Sequence, residues 1–200
     1  MTVPFRALAS RLPLSLLVGM VLTTFLVMGA LVAPLISPAD PLSQDLYATF
    51  QPMSWGHPFG TDAFGRDVFS RIVYGTRYSL AEVCISVLIS CVAGTLAGML
   101  AGLVGGYVEQ AIMWAVDIVF AFPGIVLALL ILSLLGPGFI NMLLAISLFS
   151  IPVYARLAQN LTHTLQRTEY VEAARTLGAG TWRILYVHIM RNALGPILVQ

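Results

Sequence analysis

The chain has 200 residues, of which 58% are hydrophobic and only 10% charged, with a formal net charge of +1. Soluble globular domains carry roughly 25% charged residues, so this composition, with a mean hydropathy of +0.90, excludes a soluble domain and places the chain in lipid. Membrane lipid is an expected partner, and nucleic acid is not.

No Asp, Glu, Lys or Arg occurs from Leu12 to Ala39, from Val83 to Val108 or from Ile118 to Ala155. An α-helix rises about 1.5 Å per residue, so about 20 apolar residues cross a hydrocarbon core of roughly 30 Å. The gaps predict an all-α, polytopic transmembrane bundle with spans near Leu14 to Ile36, Glu82 to Val104, Ala111 to Leu135 and Phe139 to Tyr154. The first run is longer than the roughly 7–15 residues of a signal-peptide core, and is read as an uncleaved anchor.

From Ser37 to Ala81 the chain reads as an extracytoplasmic loop. Pro38, Pro41, Pro52 and Pro58 keep its first part irregular. From Asp62 the pattern predicts a short amphipathic helix at the membrane surface, capped by Thr61 or Asp62, with Asp67 and Arg71 as an ion pair one turn apart.

In the second span Ser86, Ser90, Gly94, Gly98, Gly102 and Gly106 recur every four residues. Such a stripe admits a neighbouring helix at close range, which matters in lipid because association there rests on packing; Gly94, Gly98 and Gly102 are assigned to helix packing. Cys84 and Cys91, on one face of the same span, read as small buried hydrophobes rather than a disulfide or metal pair. The third span contains Asp117, which is either an interfacial anchor or a group on a transport path, and Pro123, read as a kink. Gly136-Pro137-Gly138 then marks a tight hairpin into the fourth span.

All positive charges are arginine. Arg6, Arg11, Arg156, Arg167, Arg175, Arg183 and Arg191 fall on the side of the membrane that four alternating spans share with the N-terminus, and Arg66, Arg71 and Arg77 on the other. The positive-inside rule makes the first side cytoplasmic, so the N-terminus and the loop 156–191 are expected there.

No catalytic signature is present: His57, His163 and His188 are scattered, and neither His-Glu-x-x-His nor Gly-x-Ser-x-Gly occurs. Without lysine, the chain also lacks a Walker A loop. In the cytoplasmic loop, Glu169 to Gly178 reads as a short helix ended by Gly178 and Gly180. Glu169 and Glu172 lie at its positive end, and Ala173 and Ala174 leave a slim face for another surface to grip. A second amphipathic run, Ile184 to Ile189, follows.

Glu172-Ala173-Ala174, three residues and Gly178 resemble the EAA loop of inner-membrane permease subunits of bacterial ABC importers. Further upstream, His57-Pro58-Phe59-Gly60-Thr61-Asp62, Gly65-Arg66-Asp67, Ser70-Arg71, Gly75, Arg77 and Ser79-Leu80 are similar to the segment ahead of the permease core in the dipeptide, oligopeptide and nickel group, in its C-type subunit. The resemblance implies a type I importer permease, not an enzyme, with 1–36 as N-terminus and first span, 37–81 as extracytoplasmic loop and 82–200 as permease core. It implies an ATPase-coupling role for Glu169, Glu172, Ala173, Ala174, Arg175 and Gly178. The implied partners are a homologous permease, ATP-binding cassette ATPases and an extracytoplasmic substrate-binding protein. No cofactor binds directly, since ATP enters through the partner ATPases. Arg191 stands where the family's loop usually ends in proline. The family usually has two spans after this loop, whereas Asn192 to Gln200 reads only as the start of a fifth, so a truncated chain is expected. The alternative is an ATPase-independent secondary transporter or channel, for which Asp117 is the sole deep charge.

Overall fold

A computed structural model of the chain describes residues 13–200; Arg6 and Arg11 lie outside the described residues. Its elements are α1 (Leu14–Ile36), α2 (Val68–Val104), α3 (Gly106–Phe120), α4 (Gly124–Leu135), α5 (Phe139–Gln166), α6 (Glu169–Thr176), α7 (Thr181–Arg183), a π-helical segment (Ile184–Met190) and α8 (Arg191–Val199). Among the described residues no strand is present, only an antiparallel bridge between Thr61 and Asp67. The fold is all-α, as the composition requires. Two compact units divide between Ala81 and Glu82.

In the first unit, α1 leaves Leu22, Phe25 and Leu31 exposed and buries only Ala30 and Ala33, a surface suited to lipid. The irregular stretch after it is organised by two aspartates. Asp67 is 2% exposed; its Oδ2 accepts from the Ser70 backbone N–H (2.7 Å) and hydroxyl (2.6 Å), and its Oδ1 faces His57 Nδ1 at 3.1 Å. This is an N-cap for α2. Asp62 instead accepts from the backbone N–H groups of Phe64 and Arg66 and from the guanidinium groups of Arg66 and Arg71. Gly65, at φ +69°, closes the turn, and a Cβ there would overlap the Asp45 carbonyl, so only glycine fits.

These contacts revise two sequence expectations. Asp67, not Thr61 or Asp62, starts the helix, and Arg71 pairs with Asp62, not with Asp67. The helix also does not stop at the membrane surface. Nothing between Val68 and Val104 breaks it, since that stretch holds no proline, so the amphipathic segment and the second span form one 37-residue helix. At about 1.5 Å per residue it is about 55 Å long, well beyond a hydrocarbon core of roughly 30 Å.

The second unit is built on the small-residue stripe of α2. Ser86 donates to the Leu143 carbonyl and Ser90 to the Ser147 carbonyl, both 57 residues on. A Cβ at Gly94 would lie 2.6 Å from the Ile151 carbonyl, one at Gly98 would strike the Ala155 carbonyl, and one at Gly102 would lie 3.0 Å from the Gln159 carbonyl. The offset is the same at every step, so α2 and α5 run parallel with their backbones in near contact. Cys84 is exposed and Cys91 half-buried, which corrects the expectation that both are buried.

Between these parallel helices the chain must return. It does so through α3 and α4, which meet at 86° instead of forming one continuous helix over the span expected from Ala111 to Leu135. Pro123 has no N–H and keeps Phe122 out of helical backbone, and a Cβ at Gly124 would enter the Phe149 ring. Glu109 meets His163, Asp117 meets Arg156, and Gly124 abuts Phe149; each step forward along the pair is a step back along α5. Among the described residues three helices, α1, α2 and α5, are singly long and apolar enough to cross a membrane, and the bent pair makes up to a fourth if it counts as one span. The helix α5, expected to end at Tyr154, itself runs on to Gln166.

Two outcomes follow from this packing and from the loop. Alanine at Gly98 or Gly94 should cost about 1–3 kcal/mol through overpacking, at about 2–4 °C of thermal midpoint per kcal/mol for a chain of this size in detergent. Gly102→Ala should cost less, and Gly19→Ala, which meets nothing within 4 Å, should lose nothing. Burial raises the pKa of Asp62, but the Arg66 and Phe64 backbone N–H groups and the Arg66 guanidinium outweigh it and hold the carboxyl at about 2, against an ordinary 3.8. A depressed carboxyl stabilises fully above its ordinary value and loses that contribution as pH falls through the folded value. Amide exchange at Phe64 and Arg66, corrected for intrinsic rate, should therefore stay constant above about pH 4 and accelerate toward about pH 2.

Candidate functional site

The helix α6 has the composition of a dipole-matched segment: Glu169 and Glu172 in its first turn and Arg175 in its last. The Thr168 carbonyl accepts from the N–H groups of Val171 and Glu172. Its far end is a Schellman motif. Gly178 N–H donates to the Arg175 carbonyl and Ala179 N–H to the Ala174 carbonyl, both at 3.0 Å. Gly178 sits at φ +85°, and a Cβ there would meet nothing within 4 Å. Glycine is needed for its backbone conformation, not for room.

One residue seats the helix. Val171 is fully buried in a cluster with Met99 of α2, Tyr154 and Ala158 of α5, Ile184, Leu185 and Ile189 of the π-helical segment, and Ala193 and Ile197 of α8. Burying such a side chain contributes roughly 1.5–3 kcal/mol. Ala179, just past the Schellman turn, packs on the same cluster. The remaining faces are open: Glu169, Glu172, Ala173, Arg175 and Gly178 are exposed, Ala174 is half-buried, and Leu177 is 88% exposed.

The surface beside α6 is aromatic. Trp182 and Tyr186 stack with centroids 6.3 Å apart, and Tyr170 lies 6.2 Å from His188. Asn192 donates to the His188 carbonyl at 2.6 Å and to the Tyr170 hydroxyl at 3.3 Å. The π-helical turn, with one extra residue per hydrogen-bonded loop, joins α7 to α8, so the run expected to begin a fifth span near Asn192 belongs to helical structure that starts at Thr181.

The structure thus brings Glu169, Glu172, Ala173, Ala174, Arg175 and Gly178 onto one eight-residue helix and its cap. It places Gly94, Gly98 and Gly102 against α5, and Asp117 beside Arg156. Sequence reasoning missed Val171 as the seat of the helix; the one aliphatic side chain between Glu169 and Glu172 was the available signal. It also missed the Glu109 carboxylate, which accepts from Gln159 Nε2 at 2.5 Å and faces His163 Nε2 at 2.6 Å.

Residues 94–200 match the family described as binding-protein-dependent transport system inner membrane component. The chain is 44% identical over 146 residues to the glutathione transport system permease protein GsiD of Pectobacterium atrosepticum, covering 73% of this chain and 48% of that protein. It is 38% identical to the dipeptide transport system permease protein DppC of Alkalihalophilus pseudofirmus, over 92% of this chain and 60% of the relative. It is 37% identical to the probable D,D-dipeptide transport system permease protein DdpC of Escherichia coli K12, over 94% and 63%. The chain therefore spans about half to just under two-thirds of the length of these relatives.

Because Gly178 holds left-handed backbone in open space, Gly178→Ala should cost about 1–2 kcal/mol at the end of α6 and Gly178→Asn distinctly less. Hydrogen exchange at Leu177, Gly178 and Ala179 measures it directly.

Proposed function

The chain belongs to the inner-membrane components of binding-protein-dependent transport systems, and from that premise we propose that it is a permease subunit of an ATP-driven importer of short peptides. It pairs with a homologous permease to form the translocation pore. An extracytoplasmic binding protein delivers substrate, and two ATP-binding cassette subunits supply the energy; ATP binds to them and not to this chain. Dipeptide, D,D-dipeptide and glutathione are what the named relatives transport, which favours a peptide over nickel or a metal chelate. The N-terminus and α6 face the cytoplasm, which the arginine distribution supports, as do four crossings formed by α1, α2, the bent pair and α5.

The observation that carries this reading is α6 itself. It is seated through Val171 while Glu169, Glu172, Ala173, Arg175 and Gly178 remain exposed, the arrangement of a helix anchored on one side and offered on the other. In this reading the ATPase grips the slim Ala173–Ala174 face, Glu172 and Gly178 fix the docked geometry, and Glu169 and Arg175 make flanking contacts. Closure of the ATPase pair displaces α6.

The test uses the full-length subunit with its partners in proteoliposomes. Ala173→Trp adds bulk to an exposed position without altering the backbone, so insertion into the membrane should persist while ATP-coupled uptake falls about tenfold or more, the cost of a blocked docking contact. Uptake equal to that of the unsubstituted complex would remove α6 from the coupling role.

A further inference from the structure

The second unit carries one feature that coupling at α6 does not use. Asp117 on α3 and Arg156 on α5 form an ion pair at 2.6 Å, with side chains 55% and 46% exposed. The pair opens on a cleft of about 270 Å³ lined by Met113, Asp117, Arg156, Gln159 and Asn160, polar and roomy enough to hold water. All of the lining except Met113 is polar. About two turns further along the same seam, Glu109 meets Gln159 and His163.

Arg156 lies toward the cytoplasmic end of α5, where that helix runs on past Tyr154; half-exposed charges at this depth are costly against lipid and face a bundle interior or a water-filled space. Elsewhere the unit offers lipid what it needs: Val83, Leu88, Val92 and Leu96 on α2 are all exposed and apolar. The two faces therefore have different surroundings, and the Asp117–Arg156 face is the wet one.

The pair is also incompletely engaged. The bond uses Arg156 Nη2 and Asp117 Oδ1, which leaves Asp117 Oδ2 and the other guanidinium N–H groups to a ligand. Arg156 is held in place by stacking over the Phe120 ring, 4.9 Å from its centroid. A ligand with one charge would strand either Asp117 or Arg156 without a counter-ion, whereas a ligand with both charges exchanges for the pair and leaves neither uncompensated.

We infer that the Asp117–Arg156 cleft lines the aqueous translocation path and is a counter-ion site for the two charged ends of a short peptide. Asp117 takes the ammonium and Arg156 the carboxylate. The inference rests on the reading of the chain as a peptide permease and adds the residues that meet the substrate.

Asn160→Cys reports on the cleft without touching either charge. It is placed in a Cys84→Ala, Cys91→Ala background, with Leu88→Cys as the lipid-face control, in the complete transporter in proteoliposomes. The probe is a charged methanethiosulfonate. Asn160→Cys should react about tenfold or more faster than Leu88→Cys, as a wet face requires. Saturating dialanine should slow that reaction about threefold or more, and neutral N-acetyl-dialanine amide should not, as pairwise charge exchange requires. Equal reactivity at the two cysteines overturns the inference, and so does equal protection by the zwitterion and the neutral peptide. Absence of ATP-dependent dialanine uptake by the unsubstituted complex removes the peptide-permease reading itself, whereas intact uptake with equal protection removes only the site.

Discussion

The second unit depends on backbone-to-backbone contact between α2 and α5. In lipid, apolar side chains gain little by meeting one another, because the tails are as apolar as leucine; what remains is close van der Waals packing and polar contacts between helices. Gly94, Gly98 and Gly102 provide the first and Ser86 and Ser90 the second. The constant offset fixes α5 parallel to α2, which in turn obliges α3 and α4 to carry the chain back. The broken geometry at Pro123 is tolerable because each half still lies along α5.

What was legible in the sequence follows from how local each cause is. Charge gaps and apolar runs marked α1 to the residue, because a single helix in lipid is defined by length and hydropathy alone. The four-residue repeat of small side chains was equally plain, since helical periodicity writes it directly. By contrast, the continuity of α2 through Ala81 was hidden by a change of composition: the polar start of that helix looks like a separate element, and only the absence of any breaker argues otherwise. The partner of Arg71 was misread for a related reason. Spacing of four favoured Asp67, but Asp67 is consumed by Ser70 and His57 at the helix start, and Asp62 reaches Arg71 from a turn that spacing cannot see.

The helix α6 was legible in its residues and not in its mounting. Glutamate, alanine and glycine at their spacing mark out a short helix with a glycine stop, which the structure forms from Glu169 to Thr176, and family membership stands on the match over 94–200. That Val171 is the fixed point, that the following turns are π-helical, and that Asp117 has a partner on α5 are tertiary facts, each joining residues far apart in the chain.

The seat of α6 has a mechanical side. The cluster that receives Val171 includes Met99 from α2 and Tyr154 from α5, the two helices locked to each other along five successive turns. Close-packed interiors are nearly incompressible and transmit strain, so a load applied to the short helix cannot be absorbed locally. It is passed to both long helices together, as it would be to a stiff two-bar beam.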